Sequence, residues 1–389
     1  MNDITFLKQN GGLSRPLPGE DHISGLVFYG VKPAEWGAAD VREITDIETA
    51  ETLGITSDAI GDAAIWHYHL SEFFAQNPGA KLYVGIFAVP AIPGTPAFTE
   101  VTTMQAFADG KIRQVGVFYT EAAFASTMVT ALQLVLVANE TNHMPLTAIL
   151  APDVKAVADL TTLPDLKALT GSKVSVLIGQ DGNNIGKGLY TTSGASVGCV
   201  GACLGALSRA SVHENIGWVA NFNMSHVELD VPAFGNGKLY KELSSTAITG
   251  IHDKGYMFLR KHVGLSGTFF NDTYTAIAAT SDYCNQESNR TMDKAMRNVR
   301  TYLLPQLNGP VEIDATTGKL AAETVKYFEE IGNTALDQMK RVGELSGFKV
   351  VINPAQDILS SSELQISIVN VPKGVIRNMK VKIGFAKSV

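Results

Sequence analysis

The sequence of 389 residues is poor in charge, cysteine and tryptophan: Asp, Glu, Lys and Arg make up 18%, with 3 Cys and 3 Trp. Cys199, Cys203 and Cys284 fit neither a disulfide framework nor a four-ligand zinc site, so reduced thiols in a cytosolic protein are expected. Surplus positive charge is missing as well. A formal charge of −7 argues against a general nucleic-acid binder, because such proteins neutralise phosphates with excess Lys and Arg. There is no long hydrophobic run. The longest, around Leu132–Ala138, is far too short to span a bilayer, and residues 1–12 lack the basic and apolar blocks of a signal peptide. A protein made and kept soluble, with no membrane insertion, is the expectation.

What is present is apolar and small: 45% hydrophobic residues and 36 Gly, in a chain long enough for two or three packed domains. Its charge is unevenly spread. Between Glu20 and Asp62 there are 10 acids against Lys32 and Arg42, whereas from Asn370 to Val389 five bases (Lys373, Arg377, Lys380, Lys382, Lys387) face no acid. An acidic front and a basic tail can attract copies of one another, although two solvated faces are the simpler account of the charge alone.

Hydrophobic patterning predicts an α/β layout in the first part. Strands are expected at His22–Tyr29, Lys81–Val89, Gln114–Tyr119, Leu146–Leu150 and Val174–Gly179. Helices are expected near Ala59–Gln76, Glu121–Asn139, Asp153–Leu169 and Ser193–Ser208. Ahead of them Ile4, Thr5, Phe6 and Leu7 form a short apolar stretch cut off by Gly11-Gly12 and by Arg15-Pro-Leu-Pro-Gly19, which reads as an arm. The weakest domain boundary falls near Gly250. Beyond Gly264 two amphipathic helices, Asp282–Leu304 and Ala321–Leu345, precede three strands: Phe348–Asn353, Glu363–Asn370 and Met379–Phe385. Leu364, Ile366 and Ile368 share one face of the second; Met379, Val381, Ile383 and Phe385 share one face of the third.

Chemical motifs are weak. Val174–Gly188 runs from an apolar strand into a glycine-rich loop with Lys187, the outline of a phosphate cradle. A Walker A loop needs four spacers between its glycines and a hydroxyl after the lysine. Here three residues separate Gly182 from Gly186 and Gly188 occupies the hydroxyl position, so a plain strand-to-helix connection is favoured. Asp181-Gly-Asn-Asn184 lacks the ligand pattern of a calcium loop. His67 and His69, two apart, point to different faces of a helix and lack a third ligand; Cys199 and Cys203 suit close helix packing better than a metal. Ser211, His213 and Glu214 are adjacent in sequence only, and no nucleophile elbow surrounds a serine. Arg290, Lys294 and Arg297 form a basic stripe at helical spacing: a solvated face, or a docking surface for an acidic partner.

Several segments, in order, resemble tail sheath proteins of contractile phages and injection systems, in particular a sheath-like family. They are Gly11–Val27, Arg290–Arg300, Val311–Leu320 and Leu364–Gly374 with the strand that follows. The stretch Val212–Trp218 is similar too. The resemblance implies a non-enzymatic structural subunit without cofactor, metal or catalytic residues. It would pack as six-fold rings around an inner tail tube protein and meet baseplate and sheath terminator proteins, assembled in the bacterial cytoplasm. It also implies an N-terminal arm (1–21), an outer α/β domain (22–250), an inner α+β core domain (251–375) and a C-terminal linking strand (376–389). The extended arms would add strands to neighbouring subunits. Ile4–Leu7, Leu364, Ile366, Ile368, Met379, Val381, Ile383 and Phe385 are then the subunit-linking residues. The alternative is a cytosolic nucleotide-binding enzyme centred on residues 179–188; the inner tube itself fits less well, since tube subunits are generally smaller.

Overall fold

The computed structural model describes residues 20–225 and 229–386. The expected arm strand Ile4–Leu7 lies outside them. The chain divides into two compact units: residues 1–211 with 216–290, and residues 212–215 with 291–389.

The first unit is built on a six-stranded sheet of β1 (Ser24–Tyr29), β2 (Val41–Ile44), β3 (Leu82–Phe87), β4 (Gln114–Ala123), β5 (Thr147–Asp153) and, after the two-residue β6 (Thr170–Gly171), β7 (Val174–Val176). The order is β2-β3-β1-β4-β5-β7, all parallel except the edge strand β2. β1 is buried along its whole length because each face meets a core: Leu26 and Phe28 point into one, Val27 and Tyr29 into the other. This is why these strands read as unbroken apolar runs and not as alternation. Helices α1 (Ile47–Thr52), α2 (Asp62–Gln76), α3 (Glu100–Phe107) and α4 (Ser126–Thr141) connect them.

Behind the first core α2 lies against α6 (Val200–Arg209), which follows β8 (Gly179–Asp181) and α5 (Ile185–Thr192). Two glycines set how close these helices come. A Cβ on Gly201 would stand 2.0 Å from the His69 carbonyl oxygen, and one on Gly205 2.7 Å from that of Phe73. Cys199 and Cys203 are buried in the same core, and burial pushes both thiols up.

Three expectations need correction. No α-helix forms over Asp153–Leu169; the segment makes two single turns, Leu160–Thr162 and Leu166–Ala168. The Asp159 carboxylate accepts from the Thr161 amide at 2.9 Å and Asp165 from the Lys167 amide at 2.9 Å, so each aspartate starts a turn that Pro164 keeps from merging with the next. The helix expected from Ser193 starts at Val200, because Ser196 is drawn into bonds with Asp153 and the Gly235 carbonyl. Finally, the division between units falls after Arg290, whereas Gly250 lies inside α7 (Ser245–Asp253). The chain from 251 to 290 stays in the first unit because Tyr256, Met257, Phe258 and Leu259 are core residues there. This stretch includes β10 (Leu259–Arg260), β11 (Phe269–Phe270) and β12 (Ala276–Ile277), after β9 (Pro232–Phe234).

The second unit comprises most of α8 (Gln286–Leu303), then α9 (Ala322–Arg341), β13 (Leu345–Ile352), the single turn α10 (Ile358–Ser361) and β14 (Ile366–Pro372). β13 and β14 pair antiparallel, with Val350 opposite Ile368 and Ile352 opposite Ile366. One face of this hairpin packs on α9: Leu345 joins Leu336 and Met339, and Ile352 joins Phe328. Gly332 allows that approach, since a Cβ there would lie 2.9 Å from a methyl of Val350.

Candidate assembly interface

The glycine-rich loop is occupied by the protein's own carboxylate. β8 ends at Asp181, which is fully buried, and its side chain accepts from the amides of Asn183 at 3.0 Å, Asn184 at 3.0 Å and Lys187 at 3.4 Å. These are the donors at the start of α5 that a phosphate would need. The Gly182 amide donates instead to the Val231 carbonyl at 2.8 Å, and the Lys187 ammonium sits 5.0 Å from the centre of the Tyr190 ring. The sequence expectation missed Asp181 as the occupant. Its signal was an Asp followed by Gly-Asn-Asn at a helix start, the residues that bind nearby backbone amides.

The two histidines part company. His67 pairs with Glu51 at 3.0 Å, while His69 is buried beside the rings of Phe118 (4.7 Å) and Phe28 (6.1 Å), and burial lowers its pKa to about 3. Among the described residues no group of three or more His, Cys, Asp or Glu is placed to hold a metal ion.

The basic stripe is not one solvated face. Arg290 is buried, and its guanidinium donates to the carbonyls of Leu207 at 2.9 Å, Ala210 at 3.0 Å and Ser211 at 3.3 Å, satisfying the C-terminal end of α6. Lys294 pairs with the buried Glu344 at 2.6 Å. Arg297 is half-buried. Helical spacing aligned the three, but two of them already serve the fold.

The carboxyl-terminal hairpin and the chain after it are complementary. Among the described residues β13 and β14 pair only with each other, so each has an edge with no strand beside it. Leu364, Ile366 and Ile368 pack into their own unit, which leaves the backbone edge of β14, and not these side chains, for a partner. The third strand expected here does not form: residues 373–386 have no regular structure. Met379, Val381, Ile383 and Phe385 are exposed at 79%, 80%, 95% and 111%, with no surface among the described residues covering them. Strand addition in general needs an open sheet edge and an extended segment with alternating apolar residues.

Family models match residues 1–274, as the N-terminal domain of DUF2586, and residues 282–389, as its C-terminal domain. The chain belongs to the DUF2586 family. No curated protein matches this DUF2586 chain. Among solved structures it is similar to the anti-feeding prophage helical sheath in its contracted state, with 13% identity, 99% of this chain and 98% of that one covered, and a TM-score of 0.62. It is also similar to the contracted sheath complex of an extracellular contractile injection system, PVC, with 10% identity, coverage of 100% and 98%, and a TM-score of 0.60. The sheath tail protein of Listeria innocua matches with 10% identity, coverage of 91% and 96%, and a TM-score of 0.53. At such identities the likeness is one of fold: the DUF2586 chain has the mixed α/β fold, rich in parallel strands, of contractile sheath proteins. No helix among the described residues is long and apolar enough to cross a membrane.

Proposed function

We propose that this chain is the sheath subunit of a contractile tail or injection particle. Copies stack as six-fold rings around an inner tube protein between a baseplate and a terminator, and contraction drives the tube through a target envelope. The first unit is the outer domain and the second the inner core. The role is structural, without catalysis or cofactor. The observation that carries the reading is the open-edged β13–β14 hairpin together with the exposed row Met379, Val381, Ile383 and Phe385, on a fold shared with sheath proteins.

On this reading the C-terminal segment of one copy, and the segment Ile4–Leu7 of another, add strands to a neighbour's hairpin. If an arm makes about five net hydrogen bonds of roughly 1 kcal/mol each, a junction is worth only a few kcal/mol, and persistence comes from many junctions per ring. The energy released on contraction then resides in packing and charge pairing that differ between extended and contracted states, since a two-state lattice responds only to such differences.

Deleting Asn378–Val389 tests the model. The expected product is a monomer with wild-type circular dichroism that builds no sleeves under the electron microscope. Long helical sleeves from the truncated chain would refute the linking role of the arm.

A further inference from the structure

The first unit is electrically lopsided across its sheet. At the β2 edge, the turn Ala34–Trp36, α1 and the loop from 53 to 61 form one acidic surface. From Pro33 to Asp62 the sequence has 8 acids and one base, Arg42. Arg42 is spent internally, donating from Nε and Nη2 to the Trp36 carbonyl at 2.9 and 2.6 Å. Asp40 and Glu43 have cations of their own in Lys32 and Lys81, and Glu51 is hydrogen-bonded to His67. Among the described residues Glu35, Glu48 and Asp58 pair with none, and all three are exposed. Glu35 borders the loop from 53, since a Cβ on Gly54 would lie 2.6 Å from its carboxylate. Within this acidic surface Ile60 is 98% exposed.

The other side of the sheet carries the opposite pattern. β7 is the last strand, Leu177 beyond it bridges to Met257, and the chain continues directly into β10, which pairs with β11. The hairpin tip opens with Arg260, Lys261 and His262, and no acid occurs from Lys254 through Asn271. Among the described residues no carboxylate pairs with Arg260 or Lys261. At the tip Val263 is 108% exposed, with Leu265 exposed beside it.

Asp230 also reaches the hairpin, its carbonyl accepting from Thr268 at 3.3 Å, but at the two exposed apolar residues the neighbouring charges in sequence are of opposite sign. Standing at opposite edges of one sheet, they cannot meet within a copy. We propose that the β10–β11 tip of one copy, through Lys261 and Val263, docks on the β2 edge of the next, at Glu48, Asp58 and Ile60. Such a contact is heterologous, joining two different patches, so repetition produces a ring or a helix and not a closed pair. The proposal rests on the self-assembly reading above and adds a lateral contact between outer domains, separate from the strand junctions of the second unit. Exposed charge pairs guide encounter and fix register more than they add affinity, so the contact governs assembly rate and weakens as salt rises.

Charge reversal in the full-length chain tests it. Lys261→Glu with Arg260→Glu, or Glu48→Lys with Asp58→Lys, should each slow assembly at low salt about tenfold or more by light scattering, at unchanged melting temperature. Combining all four in one chain should restore the wild-type rate, and high salt should erase the differences between variants. If wild-type chains assemble and either reversed pair assembles equally fast, the lateral contact is wrong while the sheath reading stands. A combined variant as slow as its parents would also overturn the pairing. If wild-type chains form no higher assembly, the sheath reading itself fails.

Discussion

Single residues show how much of this fold depends on burial with few alternatives. His69 is ordinary in sequence, yet neither ring nitrogen has a partner among the described residues, and its pKa falls to about 3 from the usual 6.5. The native state therefore holds this imidazole neutral where the unfolded chain would bind a proton. Stability from His69 is complete above about pH 6.5 and is lost as pH falls toward 3. One such proton corresponds to a slope of at most about 1.4 kcal/mol per pH unit. Urea titrations at pH 4, 5 and 6 should show this component in the wild type and its absence in His69→Phe. Gly201 tests the neighbouring helix contact: Gly201→Ala forces α2 and α6 apart and should cost about 1–3 kcal/mol. The same change at Gly188, which has open space around it, should leave the melting temperature within a degree or two.

At the scale of elements, what the sequence showed and what it hid follow from one distinction. β1, β3 and β5 were legible because a strand covered on both faces must be apolar throughout, and that pattern is local. Asp153–Leu169 was misleading because apolar spacing alone does not reveal Asp159 and Asp165 turning their carboxylates onto their own backbone. The stripe Arg290, Lys294 and Arg297 was read at the right spacing, but the waiting partners, the carbonyls ending α6 and the carboxylate of Glu344, are about 80 and 50 residues away in sequence. The loop 179–188 lacks one spacer and the hydroxyl of a phosphate site, and Asp181 occupies the position a phosphate would take. Asp181→Ala should therefore destabilise the protein by about 1–2 kcal/mol, the worth of a helix-start acceptor. Calorimetry with ATP should give the same null trace for wild type and Lys187→Ala; micromolar binding abolished by Lys187→Ala would revive the enzyme alternative.

For the whole molecule, the resemblance pointed to the fold of sheath proteins, while the division into units differs from the sequence expectation. The sequence reading divides the chain near Gly250, yet residues 251–290 fill the first unit's cores through Tyr256, Phe258 and Leu259. The hairpin could be read from alternation; the lack of a third strand among the described residues could not, since Met379–Phe385 has the pattern of a strand and pairs with no described strand. That vacancy has a consequence for growth. If each subunit lends its tail forward and borrows one from behind, any finite row keeps an unused tail at one extremity and an uncovered strand at the other. The two extremities are then chemically different, elongation has a direction, and it halts only where some other molecule supplies or covers the missing strand.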